Sequence, residues 1–278
     1  MRRVAVVLAV FVAVAQLGLF LLTERGLGST LALVGGVTVG AGLRWVWALG
    51  WALPWVVGAV LLLRGRERIG SAVLLTAAAM AVADGIGALT PAIDLARLGR
   101  LPGGAALVER VGGALVWLAA LAAGIVAWRA RPRGGWREAA PGPVGWYVTL
   151  AVFAWLPSLL RTTAFAPVGA PRRFAETDVS RLTGLEAAGS IAGAVVALVV
   201  LFVAPRLRRD IAGAVLLAYA APTLLANLGA VVVVVTEDDM ILTPAGVLGL
   251  IGLAGLVAAG AVWSARRADA PGAAGAPG

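Results

Sequence analysis

Eight long apolar runs constrain this chain more than any other feature of its sequence. Each is close to the roughly 20 residues that a helix needs to cross the hydrocarbon core of a bilayer. The runs cover residues 4–22, 45–63, 69–90, 111–128, 145–160, 187–204, 211–235 and 241–264. Only 13% of the 278 residues are charged, which is about half of the share in a soluble domain. The sequence therefore predicts an all-α integral membrane protein with eight transmembrane helices, and it excludes a soluble enzyme or a nucleic-acid-binding domain for most of the chain.

The arginines are distributed as the positive-inside rule requires. With the amino terminus in the cytoplasm, 14 of the 23 arginines and four of the 14 acidic residues fall on the cytoplasmic side, a net charge of +10. The other nine arginines and ten acidic residues give a net charge of −1 outside. Eight spans then place both termini in the cytoplasm.

Two segments complicate this count. The first run follows Arg2 and Arg3, as in a signal peptide, but it has the full length of a span and no small-residue cleavage site follows it, so we expect an uncleaved helix. The stretch 26–42 is apolar but rich in glycine. A ninth crossing there would move Arg64, Arg66 and Arg68 outside. We therefore expect an external segment at the membrane interface, with a re-entrant hairpin as the alternative.

The two halves of the chain align at a constant offset, which places residue 150 on residue 8. Residues 8–11 and 150–153 are both Leu-Ala-Val-Phe, and residues 72–75 and 214–217 are both Ala-Val-Leu-Leu. The same offset places Arg206 and Arg208 on Arg64 and Arg66, whereas the fourth helices align after a small shift. A shared offset across several helices indicates an internal repeat. Because each unit has an even number of helices, the sequence predicts a 4+4 parallel repeat related by an axis along the membrane normal.

The repeat divides the chain into four parts. Residues 1–128 form a first four-helix unit, 129–144 a cytoplasmic linker, and 145–265 a second four-helix unit. Residues 266–278 are rich in Ala, Gly and Pro and lack core-forming side chains, so we expect a disordered cytoplasmic tail.

Three residue types are missing, and their absence narrows the chemistry. The chain contains no Cys, no His and no Lys. It therefore has no thiolate nucleophile, imidazole base, histidine metal site or Schiff-base lysine. We expect no cofactor, no metal site and no catalytic residues. Arginine in place of lysine, together with abundant Ala, Gly and Val, indicates a GC-rich genome, and we expect a multi-pass protein of a bacterial plasma membrane.

Four polar residues form the candidate functional site. Asp84 lies 16 residues past Arg68, or roughly 24 Å along a helix, which is near the outer side of a core of about 30 Å. By the same reckoning Asn227 and Gln16 fall at a similar depth, and Ser158 is the repeat partner of Gln16. An ionisable group within a span is a functional hypothesis by default. We nevertheless favour a structural role, because such a carboxylate can reach the interface or pair with an external arginine, and a solute or proton site is the alternative.

The tryptophans Trp47, Trp51 and Trp55 share one face of the second span. Spacings of four residues place side chains above one another on a helix. This face predicts interface anchoring and lipid contact, and an aromatic wall for a ligand is the alternative.

These features favour a non-catalytic helix bundle that binds, senses or scaffolds. Its expected partners are the lipid bilayer and a membrane protein or a second copy of the chain, and not nucleic acid. The alternative is a small-solute transporter or permease with an outward-facing polar site near Asp84. An enzyme would need an acid and base pair, for which Asp84 and Glu109 are the sole candidates at one level, so we do not expect one.

Overall fold

The protein is described here from a computed structural model, which covers residues 1–22, 39–97, 104–132, 134–136, 147, 149–153, 165–167, 184–237, 240–242 and 244–265. Seven helices account for nearly all of these residues: α1 (Arg2–Leu22), α2 (Val39–Leu63), α3 (Glu67–Arg97), α4 (Gly104–Ala130), α5 (Gly184–Val203), α6 (Arg209–Glu237) and α7 (Pro244–Ala265). A 3₁₀ turn, Ala204–Arg206, joins α5 to α6. The prediction of a helical protein is confirmed.

Four helices within the described residues are long and apolar enough to cross a membrane. They are Arg2–Leu22, Arg44–Leu63, Gly112–Ala130 and Gly246–Ala265. Each coincides with one of the predicted runs, so the chain has the helices of a membrane protein. Helices α3, α5 and α6 lie on three further predicted runs. Of the run 145–160, the structure describes residues 147 and 149–153, which are helical. The number of eight spans therefore stays a prediction.

Most helices extend beyond the apolar run that predicted them. Helix α3 begins at Glu67 and continues to Arg97, past the predicted end at residue 90. Hydropathy marks the part of a helix that suits lipid, whereas backbone hydrogen bonding continues through polar residues. Helix α2 begins at Val39, so the last residues of the predicted interfacial segment are helical. Residues 26–38 of that segment lie outside the described residues.

Glycine and alanine allow the helices to approach closely. At the crossing of α2 and α3, a Cβ added to Gly70 would lie 2.9 Å from the Leu62 amide nitrogen and 3.0 Å from the Gly58 carbonyl oxygen. At the crossing of α6 and α7, a Cβ added to Gly213 would lie 2.6 Å from the carbonyl oxygen of Gly260. Small residues at such crossings let helix backbones touch, which is how helices associate where lipid is as apolar as the side chains.

The described helices enclose two clusters of buried apolar side chains. The first draws on α1, α2, α3 and α4 and consists of Ala, Val, Leu and Trp55. The second draws on α5, α6, α7, the helical residues 147 and 151, and Ala72 and Met80 of α3. Helices α2 and α3 also pack on α6, and α3 packs on α5.

One contact between connecting segments is a short antiparallel pair of strands. Strand β1 (Phe165–Pro167) pairs with β2 (Met240–Leu242), with Ala166 opposite Ile241. Both strands lie in connections that the charge distribution predicts to be external. Their pairing was not predicted, because three-residue strands leave no periodic pattern in the sequence.

Candidate functional site

Gln16 is the best described member of the predicted polar level. Its side chain is half-buried in α1, and its Oε1 atom is buried without a hydrogen-bond partner in the described part of the chain. It lines a small cavity of about 10 Å³ together with Trp51, Trp55, Met80 and Pro222, among other residues. Such a volume holds about one water molecule.

The other three candidates are less completely described. Asn227 donates a hydrogen bond from Nδ2 to the carbonyl oxygen of Thr223, at 2.7 Å and one turn earlier in α6. This bond to its own helix satisfies one of its two amide donors. Asp84 lies in α3, one turn beyond Met80. The side chain of Asp84 and the whole of Ser158 lie outside the described residues. The grouping of these four residues therefore stays a prediction.

Two of the three tryptophans on the predicted face of α2 are described, and the side chain of Trp47 lies outside the described residues. Trp55 is 1% exposed and belongs to the first apolar cluster. Trp51 is half-buried, and its Nε1 atom is buried. The prediction of lipid contact is wrong for Trp55. The reason lies in α3, where the small residues Ala77 and Ala81 beside the same cavity leave room for an indole ring.

Arginine side chains collect at one end of the bundle. Arg2 donates to the carbonyl oxygen of Leu63 at 2.6 Å, where α2 ends, and forms a 3.4 Å ion pair with Glu67, where α3 begins. The chain after α4 lies at the same end. A Cβ added to Gly135 would lie 3.0 Å from Cζ of Arg68.

The start of α6 joins this arginine-rich end. The Trp136 carbonyl oxygen accepts a 2.9 Å hydrogen bond from the Arg208 amide. Arg208 in turn forms an ion pair with Asp210, with 3.5 Å between Nε and Oδ1. The arginine-rich ends of α1, α2, α3 and α6 therefore lie together.

A cleft of about 930 Å³ begins at this end and runs between α2 and α6. Its mouth is lined by Arg66, Arg68 and Arg208 with Glu67 and Asp210. Its walls consist of the apolar residues Leu53, Val57, Leu61, Ile69, Val73, Ala214, Leu217, Ala218 and Ala221, with Ser264 of α7 as a polar residue among them. Its far end is marked by Pro54 of α2 and Pro222 of α6. A volume of this size lies near the upper limit for small-molecule pockets.

Sequence reasoning missed this cleft. In the sequence, the arginines of its mouth serve as markers of orientation. A proline within a span predicts a kink, with a broken helix at a binding site as the alternative. The sequence does contain a signal for the cleft. Pro54 lies as many residues before Arg66 as Pro222 lies after Asp210. The sequence does not say that α2 and α6 are neighbours, so the coincidence could not be interpreted.

No group of three or more acidic residues that could hold a metal ion occurs within the described ranges. Comparisons of the chain with protein-family models, with curated proteins and with solved structures find no match.

Proposed function

We propose that the protein is a non-catalytic helix bundle of eight spans in a bacterial plasma membrane, with both termini in the cytoplasm, and that it acts by binding or scaffolding. The observation that carries this proposal is the apolar character of both core clusters. Among the described residues, the buried polar side chains other than tyrosine are Ser71 and Thr76, and Thr76 donates to the carbonyl oxygen of Ala72 at 3.0 Å. The buried hydroxyl of Tyr147 donates to the carbonyl oxygen of Leu201 at 2.9 Å. A dry, closely packed core suits a bundle that presents surfaces rather than one that conducts solutes.

The pattern of burial supports the proposed duplication. Three pairs of helices align without a shift at the offset that places residue 150 on residue 8. In each pair, some buried positions of the first cluster correspond to buried positions of the second. The coincident pairs are 5 and 147, 9 and 151, 55 and 197, 59 and 201, 62 and 204, 74 and 216, 77 and 219, and 78 and 220. Burial depends on neighbours, so a shared pattern is stronger support than matching apolar letters.

The packing of helices across the two units also supports a two-fold relation. Helix α2 packs on α6, and α3 packs on α5. In the proposed repeat α2 corresponds to α5, and α3 corresponds to α6. Exchanging the two units therefore converts one of these contacts into the other. Parallel repeats related by an axis along the membrane normal have this property.

The contacts between connecting segments support the proposed division of these segments between two sides of the membrane. The segments predicted to be cytoplasmic contact one another through Arg2, Arg68 and Arg208, and the segments predicted to be external pair through β1 and β2. No described contact joins a cytoplasmic segment to an external one. This separation is expected if an even number of spans lies between any two of the cytoplasmic segments.

Cysteine accessibility tests the bundle against the transporter. The chain has no cysteine, so each single-cysteine variant reports one position. Ala81→Cys lies beside Gln16 in the small cavity, and Ala120→Cys lies in the first core cluster. Arg64→Cys, in the exposed turn after α2, is the accessible control.

In permeabilised cells, a hydrophilic maleimide is expected to label Arg64→Cys and to leave Ala81→Cys and Ala120→Cys unmodified. Labelling of Ala81→Cys at a rate approaching that of the control would reject the dry bundle. It would favour a transporter with an outward-facing polar site near Asp84.

A further inference from the structure

The cleft between α2 and α6 has the dimensions of one lipid leaflet. From Arg66 to Pro54, and from Asp210 to Pro222, the chain covers somewhat more than three helical turns, or about 18 Å. The hydrocarbon core of a bilayer is about 30 Å thick, so one leaflet contributes about 15 Å. A cleft that begins at the arginines therefore reaches the depth at which an acyl chain of the same leaflet ends.

The two walls meet at the far end of the cleft. Beyond the prolines, a Cβ added to Gly50 of α2 would lie 3.4 Å from Leu225 Cδ1 and 3.9 Å from Pro222 Cα. Toward the arginine end the space between α2 and α6 opens to the volume of the cleft. Leu53 and Val57 are at least 40% exposed along its edge. The cleft is thus closed at mid-membrane depth and open sideways along one leaflet.

The charges at the mouth leave a positive excess. Glu67 is paired with Arg2, and Asp210 is paired with Arg208. Arg66 and Arg68 form no ion pair within the described ranges, and the linker backbone at Gly135 lies against the Arg68 guanidinium. An anion at the mouth would therefore meet two guanidinium groups whose charge no described carboxylate neutralises.

Arg208 adds an unsatisfied donor at the same place. Its Nε atom is buried and donates no hydrogen bond among the described residues, although it lies 3.5 Å from Oδ1 of Asp210. A buried donor without an acceptor is costly. Guanidinium groups bind phosphate oxygens well, because their planar donors match that geometry.

We propose that this cleft binds an anionic glycerophospholipid of the cytoplasmic leaflet, with its phosphate at Arg66, Arg68 and Arg208 and one acyl chain along the apolar walls. This proposal rests on the proposed orientation of the bundle. It gives the binding function a ligand class that the apolar core alone does not specify.

Two double variants distinguish a specific lipid site from the general attraction of anionic lipids to basic residues. Arg66→Gln with Arg68→Gln removes two charges from the mouth. Arg64→Gln with Arg209→Gln removes two charges from arginines that do not line the cleft. General attraction acts alike on every basic residue near the surface, so it predicts the same loss in both double variants.

The measurement is native mass spectrometry of the purified full-length protein titrated with dioleoyl phosphatidylglycerol. We expect one tightly retained lipid in the wild type, and at least tenfold weaker retention after Arg66→Gln with Arg68→Gln. We expect a change of less than threefold after Arg64→Gln with Arg209→Gln. Equal losses in the two double variants would refute the site.

Three further arms test the lipid itself. Dioleoyl phosphatidylcholine should be retained at least tenfold more weakly, and glycerol phosphate should not displace the bound lipid at equal concentration. Ala214→Leu, which narrows the apolar part without changing charge, should weaken retention while the thermal unfolding temperature stays within a few degrees of the wild type. Full displacement by glycerol phosphate, or retention unaffected by Ala214→Leu, would overturn the acyl-chain assignment.

These outcomes are independent of the cysteine test of the proposed function. A dry core with no lipid retention would reject this inference alone. Labelling of Ala81→Cys with intact lipid retention would reject the dry bundle alone.

Discussion

Replacing Gly70 by alanine tests whether α2 and α3 touch as the structure describes. A Cβ at this position would lie 2.9 Å from a backbone nitrogen and 3.0 Å from a backbone carbonyl oxygen of α2. Ordinary contacts between heavy atoms lie at about 3.5–4.0 Å. The two helices must therefore separate by about 0.5–1 Å, which forfeits a quarter to a half of the dispersion energy of the contacts it opens.

The expected cost follows from a comparison with a glycine that faces open space. No described atom would come within 4 Å of a Cβ at Gly18 of α1 or Gly113 of α4. In those positions alanine is expected to stabilise the helix, by up to about 1 kcal/mol. At Gly70 the same gain is opposed by overpacking, which costs about 1–3 kcal/mol. The preference of alanine for the helix is common to both variants and cancels. The difference in unfolding free energy between Gly70→Ala and Gly18→Ala therefore measures the cost of overpacking at the crossing of α2 and α3.

The assay is unfolding of the purified protein in mixed micelles with increasing dodecyl sulfate, followed by the fluorescence of the ten tryptophans. Gly70→Ala should be about 1–3 kcal/mol less stable than Gly18→Ala, and Gly113→Ala should match Gly18→Ala. Gly213→Ala, at the crossing of α6 and α7, should behave as Gly70→Ala does. Equal stability of Gly70→Ala and Gly18→Ala would show that α2 and α3 do not cross at this glycine.

Three further predictions use other parts of the structure. Trp55→Ala should lower the free energy of unfolding by about 3–5 kcal/mol, whereas Trp128→Ala, at a residue that is 54% exposed and contacts the Arg131 guanidinium, should change it by about 1 kcal/mol or less; comparable losses would contradict the burial of Trp55. Glu67→Gln removes a partly exposed ion pair and should cost at most about 1 kcal/mol, a difference that 1 M salt should abolish; a salt-independent loss would indicate a buried contact. Reporter fusions ending at Arg68 and at Arg173 should report cytoplasm and exterior respectively, and a cytoplasmic signal after Arg173 would overturn the count of eight spans.

Hydropathy predicted where the helices lie because burial in lipid is a property of each segment alone. The first run, predicted at 4–22, corresponds to α1 at Arg2–Leu22, and the run 211–235 corresponds to α6 at Arg209–Glu237. A long apolar segment must satisfy its own backbone hydrogen bonds in lipid, and it does so as a helix whatever its neighbours are. The last run begins differently, since residues 241 and 242 belong to β2 and Pro244 opens α7. Proline is favoured at the first position of a helix.

Pairwise packing was not predictable in the same way. The face that carries Trp51 and Trp55 was evident from their spacing, but whether it meets lipid or protein depends on the opposite helix. Here α3 presents Ala77 and Ala81, and the indole of Trp55 fills the space they leave. The same limit applies to Gln16, whose neighbours Trp51 and Pro222 come from helices far apart in sequence.

The residues at the helix contacts and those at the end of the cleft can be compared between the two halves of the proposed repeat. Some buried positions carry the same residue in both halves, as with Ala78 and Ala220, whereas others exchange a large side chain for a small one, as with Trp55 and Ala197. The prolines that mark the end of the cleft are not preserved. At the offset of the repeat, Pro54 corresponds to Val196 and Pro222 to Met80.

Both prolines therefore lie on the contact of α2 with α6, and neither lies on the related contact of α3 with α5. A proline within a helix removes a backbone hydrogen bond, so Pro54 and Pro222 each remove one along this contact, whereas the corresponding residues Val196 and Met80 do not. On the proposed duplication, the cleft is a departure from two-fold symmetry. A lipid bound between α2 and α6 would then have no counterpart between α3 and α5, which is consistent with the single retained lipid expected by mass spectrometry.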